Sequence, residues 1–341
     1  MFRNFYIALG VFSLAAATVA SAAISGQWTL GPLPVADKLE LTLHRTSVHG
    51  TMSSSSAVAS DQLHGLSAST MQSSAGETAH FEIVRDAGKL RCDGFFKDGS
   101  GGGAFNFEPS AAFASRMSAL GFGSLDEETI FRMAVHDVSL QWVQDLQSLG
   151  FKHLTADDLL TMRIHNVTAE YVRGLRKFGY QNLSADELVT MRIHGVALDF
   201  VQQMWDLGYK PTSDELVTMR IHGVSVDFVK ELKSLGYEPA IDELVTMRIH
   251  GVTVEFAREL RDLGYGAVSM DQMVTMRIHG ASTDFIKRLD QLGYKHVPID
   301  ELVTMRIHGV TPEFIENLRS RGMKNLTIDQ MVNLKIHGIV D

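Results

Sequence analysis

Leu302-Val303-Thr304-Met305-Arg306-Ile307-His308-Gly309-Val310 is the stretch that decides the fold, because close copies of it recur along the chain. Aligning the copies sets a histidine at positions 136, 165, 194, 222, 250, 279, 308 and 337, at intervals of 29, 29, 28, 28, 29, 29 and 29 residues. A fixed period of this size, sustained over about two thirds of the chain, predicts a repeat architecture. Each period carries two sets of helix start and stop signals. The first helix opens on a capping box, as in Ser184-Ala185-Asp186-Glu187, Ser269-Met270-Asp271-Gln272 or Thr327-Ile328-Asp329-Gln330, and stops at the glycine after the histidine. The periods starting at Ala240 and Pro298 lack the capping hydroxyl. The second helix opens at Thr253-Val254-Glu255 or Thr311-Pro312-Glu313 and its relatives stop at Gly150, Gly179, Gly208, Gly236, Gly264, Gly293 and Gly322.

Two short helices cannot bury an apolar face alone, so neighbouring units must complete the core. The expected product is an α-solenoid of about eight 28–29-residue two-helix repeats over residues 109–341. Phe256, Leu260 and Leu263 form the buried stripe of a second helix. The aromatic column Phe151, Tyr180, Tyr209, Tyr237, Tyr265 and Tyr294 follows each stopping glycine, a position that favours packing over a stacking platform for ligands. Residues 109–120, followed by Gly121 and Phe122, match the second-helix template and read as a cap helix.

The preceding segment, residues 23–108, reads as a small antiparallel β domain, which makes the whole chain a multi-domain α+β protein. Period-two alternation marks strands at Gly26–Leu30, Lys38–Arg45, His80–Asp86, Lys89–Phe96 and Ala104–Glu108. The serine-rich stretches Ser53–Ser60 and Ser67–Ser74 read as mobile loops, and the glycine run Gly99–Ala104 as a flexible hairpin loop. Residues 1–22 have the composition of a secretory signal peptide: Arg3, an apolar run from Phe5 to Ala20, then Ala20-Ser21-Ala22. The alternative, an uncleaved anchor, is disfavoured because that run is shorter than the ~20 residues of a spanning helix. The expected location is therefore periplasmic or extracellular, with no membrane insertion after signal cleavage.

Charge and composition narrow the function. The 31 basic residues are outnumbered by 40 acidic ones, a formal balance of −9, so no nucleic-acid partner is expected. The single cysteine, Cys92, excludes an intramolecular disulfide and a zinc-thiolate site, and reads as a small buried apolar residue. No nucleophile elbow, phosphate loop, Ser-x-x-Lys pair or Cys-x-x-Cys occurs. The histidine column, at His165, His194, His222, His250, His279 and His308, shares the polar arc of the first helix with Glu187, Glu215, Glu243 and Glu301. These ten residues form the candidate partner surface. A metal needs imidazoles within about 2.1 Å of one ion, whereas neighbouring units should place them nearly 10 Å apart, so each histidine is expected to close its helical turn. No metal site, catalytic residue or cofactor is assigned.

Arg163, Arg192, Arg220, Arg248, Arg277 and Arg306, with Lys335, stand in the middle of the apolar arc. They read as a structural ladder whose buried guanidinium groups need partners, for which the aspartates at 186, 214, 242, 271, 300 and 329 are one column.

The units Leu302–Leu318 and Leu244–Leu260 resemble the helical repeats appended to membrane-embedded zinc metallopeptidases of the β-lactam-sensor type, and those of uncharacterised exported bacterial proteins. The likeness covers the repeats alone. It implies an exported bacterial accessory protein, while the His-Glu-x-x-His motif that peptidase activity would require is absent. The sequence thus reads as a non-enzymatic interaction scaffold that takes another protein or peptide on its solenoid face. The alternatives are a ligand-sensing or enzymatic β domain, or a structural envelope protein.

Overall fold

The computed structural model describes residues 24–34, 38–47, 50–266 and 268–338. The signal peptide expected at residues 1–22 lies outside them, as do Ile339 and Val340. A six-stranded antiparallel sheet comes first and a helical repeat array follows, so the α+β class with a solenoid is what the chain forms. Two compact units divide it, Met1–Arg163 and Ile164–Asp341.

In the first unit, β1 (Ser25–Pro32), β2 (Lys38–Ser47), β3 (Gly50–Ala59), β4 (Glu77–Arg85), β5 (Gly88–Lys97) and β6 (Ser100–Pro109) lie in the order β3-β2-β1-β6-β5-β4, every neighbour antiparallel. The alternation read from the sequence sends Trp28, Leu41, Leu43, Phe81, Ile83, Leu90 and Phe105 into the core. Trp28 is wholly buried, meets Phe81 edge-on at 4.9 Å and donates its indole N–H to the Ala104 carbonyl at 3.0 Å. That bond satisfies its one polar group.

Two expectations for loops give way to strands. Residues 53–59 belong to β3, registered on β2 through pairs such as Leu43 with Ser54, and Thr42 shares a 2.8 Å hydroxyl hydrogen bond with Ser55. Serine content misleads here because β3 is an edge strand, which polar residues suit, and its apolar anchor is the buried Val58. The glycine run is strand β6 beyond the turn at Asp98-Gly99. Its glycines are bare because aromatic rings and a neighbouring backbone lie on them: a Cβ at Gly101 would meet the Phe96 ring at 2.7 Å, and one at Gly103 the Asp93 carbonyl oxygen at 2.0 Å. The second serine stretch holds one helical turn, α1 (Ala68–Met71), capped by Ser67. The Asp98 and Gly99 amides bond its carbonyls at 3.1 and 2.9 Å.

Four further helices complete this unit: α2 (Ala111–Met117), the cap helix, then α3 (Glu127–Val135), α4 (Leu140–Ser148) and α5 (Ala156–Ile164). Helix α3 lies on β5 and β6, where Phe131 stacks on Phe105 at 5.8 Å and meets Phe107 edge-on at 5.2 Å. Arg85 donates to the carbonyls of Ala134 and Val135 at 2.9 and 2.8 Å, covering the carboxyl end of α3.

In the second unit, first helices at Ala185–Ile193, Ser213–Ile221, Ile241–Ile249, Met270–His279, Ile299–Ile307 and Ile328–Ile336 alternate with second helices at Ala169–Lys177, Leu198–Asp206, Val226–Ser234, Val254–Leu260, Thr283–Gln291 and Pro312–Ser320. First helices contact first helices of adjacent repeats, and second helices contact second helices. Met191, Met219, Met247, Met276 and Met305 are fully buried from the first row, as are Val201, Val229, Leu260 and Leu289 from the second. The tyrosines pack as expected and also tie repeats together, since Tyr209, Tyr265 and Tyr294 donate to the carbonyls of Pro239, Val297 and Leu326 at 2.7, 2.9 and 3.0 Å.

The glycine strand is directly testable. Gly103→Ala forces a methyl into the Asp93 carbonyl and should destabilise the sheet by about 2–3 kcal/mol, read as a lower midpoint in chemical denaturation followed by Trp28 emission. An unchanged midpoint would show that the close backbone approach is dispensable.

Candidate functional site

The repeats expose the same helix face again and again. In each first helix, leucine, valine and methionine turn inward, as Leu244, Val245 and Met247 do, and Asp242, Thr246 and Ile249 remain exposed. Spacings of four and three residues put these three on one stripe. The stripe recurs as Asp186, Thr190 and Ile193, as Asp214, Thr218 and Ile221, as Asp271, Thr275 and Ile278, and as Asp300, Thr304 and Ile307. Successive helices therefore build a rail of aspartates, a rail of threonines and a rail of isoleucines. Ile164, Ile193, Ile221, Ile249, Ile278, Ile307 and Ile336 are each 50–55 % exposed, and with Val84 and Phe95 they make up the exposed large apolar side chains of the described residues.

Sequence reasoning missed the isoleucines because each adjoins the apolar arc. The signal was nevertheless present on the helical wheel: stepping 100° per residue from Asp242 puts Ile249 near 340°, within about 20° of the aspartate and in the polar arc.

The arginine ladder differs from its expected form. Arg192, Arg248 and Arg306 are half-buried, and Arg220 and Arg277 are exposed. Each lies over an aromatic ring of the preceding second helix: Arg192 on Tyr171 at 4.9 Å, Arg220 on Phe200 and Arg248 on Phe228 at 5.1 Å, Arg277 on Phe256 at 5.4 Å and Arg306 on Phe285 at 5.2 Å. Lys335 does the same on Phe314 at 4.9 Å. The guanidinium also reaches the end of the preceding first helix. Arg163 donates its Nε–H to the His136 carbonyl at 3.1 Å and Arg192 to that of His165 at 3.4 Å, and a Cβ at Gly251 would stand 3.4 Å from the Arg277 guanidinium. A cation thus sits where helix carbonyls lack partners and the helix dipole is negative.

The aspartate column is not the partner. Among the described residues Asp186, Asp214, Asp242, Asp271, Asp300 and Asp329 are exposed and have no cation within ion-pair distance. Arg163 does find a carboxylate, Asp137 at 2.9 Å, but that residue occupies the left-handed position that glycine fills in later repeats.

The other candidates fall as follows. His194, His222, His250 and His308 are helix C-cap residues, and His279 ends its helix one residue before a glycine cap. The rings at 222, 250, 279 and 308 are exposed, and those at 165 and 194 half-buried. Glu187, Glu215 and Glu243 accept the backbone N–H of Ser184, Thr212 and Ala240 at 2.8, 2.7 and 2.7 Å, so these carboxylates are engaged in helix caps. Hydrogen bonds from the Ser184 backbone N–H and hydroxyl hold the Glu187 carboxyl below the usual carboxylate range. Glu301 has no such bond to make, because Pro298 lacks an N–H.

The exposed face of the sheet bears charge that is internally paired. His80 meets Asp93 at 2.6 Å, and Arg91 meets Glu82 and Glu108 at 3.2 and 2.9 Å, around a cleft of about 200 Å³. Among the described residues no three His, Cys, Asp or Glu side chains are grouped so as to hold a metal ion, and no helix is long and apolar enough to cross a membrane. Cys92 turns into the core, where burial pushes its thiol up to about 12.

Two outcomes follow. Arg248→Ala should cost about 1–2 kcal/mol through lost ring contact and dipole interaction, Arg248→Met less because the stem remains, and Asp242→Asn under about 0.5 kcal/mol. Equal losses for Asp242→Asn and Arg248→Ala, measured by urea denaturation, would restore the carboxylate as partner. Cys92, protonated at mildly alkaline pH, should resist iodoacetamide in the native protein and react once denaturant is added; rapid native labelling would contradict its burial. No family model, curated protein or solved structure matches this chain.

Proposed function

We propose that the protein is an exported, non-enzymatic interaction scaffold whose first-helix face docks another protein. The observation that carries this reading is the rail of half-exposed isoleucines, one per repeat, in register with threonines and aspartates. Single exposed apolar residues are ordinary, whereas a contiguous, regularly spaced set bordered by polar residues is the mark of an interaction surface. Each isoleucine leaves about half of its surface outside the core, which adjacent residues such as Leu244, Val245 and Met247 enter. Export follows from the composition of residues 1–22. The resemblance of the repeats to those appended to envelope metallopeptidases is consistent with an accessory role at the cell boundary.

The test separates binding from folding. The triple variant Ile221→Ser, Ile249→Ser and Ile278→Ser should keep the helical circular dichroism of the parent, with a melting temperature within about 4 °C. It should lose the stoichiometric protein that the tagged parent retains from its native cell envelope. Retention of that protein by the triple variant, or its absence from the parent, would defeat the scaffold reading.

A further inference from the structure

The scaffold reading leaves open what lies on the isoleucine rail, and we infer that the occupant is a basic amphipathic helix running across the first helices. Three observations support this. The first is charge: Asp214, Asp242, Asp271 and Asp300 stand exposed in the first turns of their helices, with no cation within ion-pair distance among the described residues, so a partner lying beside the isoleucines gains by bringing Lys or Arg.

The second lies inside the first unit, where the two ends of the equivalent stripe are engaged, while its middle residue Arg132 stays part-exposed and pairs with Asp157 of α5 at 3.2 Å. Aligning His136 with His250 makes Glu128 of α3 the counterpart of Asp242, and Val135 the counterpart of Ile249. Helix α3 packs on the sheet, where Arg45 of β2 pairs with Glu128 and Val135 is 5 % exposed. Where protein engages those two ends, therefore, a cation takes the acidic position and the aliphatic position is sealed.

The third is geometry. The face is built of helices and presents no strand edge for an extended partner to pair with. An extended strand would leave its backbone to water, whereas a helix satisfies itself. Stacked helices stand roughly 8–10 Å apart, and seven residues of helix rise about 10.5 Å. One apolar residue per heptad can therefore meet one isoleucine per repeat.

The probe is a fluorescent synthetic helix of about 28 residues, about 42 Å long, with leucine once per heptad and lysines along one flank, titrated into the full chain. Fluorescence anisotropy should report binding that weakens at least about threefold from low to physiological salt. Binding should fall at least about tenfold in the Ile221→Ser, Ile249→Ser, Ile278→Ser variant. The variant Asp214→Asn, Asp242→Asn, Asp271→Asn should bind with little salt dependence. Equal binding of a peptide with glutamate in place of lysine, no binding of the lysine peptide, or tighter binding of a proline-rich extended peptide would each overturn the assignment. So would sedimentation showing that the chain alone dimerises through the isoleucines. The scaffold reading has its own readout: if the envelope partner is lost with the isoleucines while the lysine helix fails to bind, only the helix assignment falls.

Discussion

A first helix ends in carbonyls that its own backbone leaves unbonded, and the cation of the next repeat lies at that end. Arg163 and Arg192 donate to a carbonyl there, and Arg220, Arg248, Arg277 and Arg306 lie against the turn glycine. This one contact constrains much of the motif. The glycine after the histidine takes a left-handed turn, φ +67° at Gly251, and leaves room for a guanidinium where a side chain would crowd it. The arginine then needs a surface for its stem, and the aromatic residue of the preceding second helix supplies one. Arginine, glycine and aromatic ring belong to neighbouring periods, so a single unit cannot complete the contact. Stacking is thereby written into each repeat.

The same contact explains which face stays free. Leucine, valine and methionine of the first helix are committed to neighbours, the arginine to the preceding ring, and the glutamate in several repeats to its own cap. Aspartate, threonine and isoleucine are what remain. The last of these positions is half-exposed, and isoleucine fills it in all seven repeats from Ile164 to Ile336. A position of the second helix behaves otherwise, carrying Arg173, Gln202, Lys230, Lys287 and Glu316, which are exposed, and Arg258, which is half-buried. That second-helix position is varied where the isoleucine position is uniform.

Much of this was legible in the sequence, and the failures share a cause. Period, capping and glycine stops located the helices, because those signals act within a few residues of where they are written. Strands β1, β2, β4, β5 and β6 were visible by alternation. Strand β3 was not, since its pairing to β2 depends on another segment and its serines resemble a linker. Gly101 and Gly103 were read as flexibility when they mark the close approach of Phe96 and Asp93 across the β5–β6 hairpin, a pairing that composition alone does not reveal. The arginine was placed on the right arc with the wrong partner. Helical phase reveals which way a side chain leaves its own helix, whereas the ring and carbonyls that receive it belong to the previous repeat.

The β domain makes the free face intelligible as well. Its sheet receives α3 through Phe105 and Phe107, its Arg85 covers the end of that helix, and its Arg45 takes the acidic residue. Arg85 thus performs at α3 the task that Arg163 and later arginines perform between repeats, from a strand instead of a helix. Ala134 stands where the repeats have arginine, and Val135 where they have isoleucine. These two exchanges coincide at the one first helix that packs on the sheet, and Val135 is buried there. The aliphatic position is therefore compatible with a protein neighbour, and its half-exposure elsewhere reflects the lack of one within the unit. A partner that supplied a cation and an apolar contact to each period would complete, along the array, the environment that the sheet provides once.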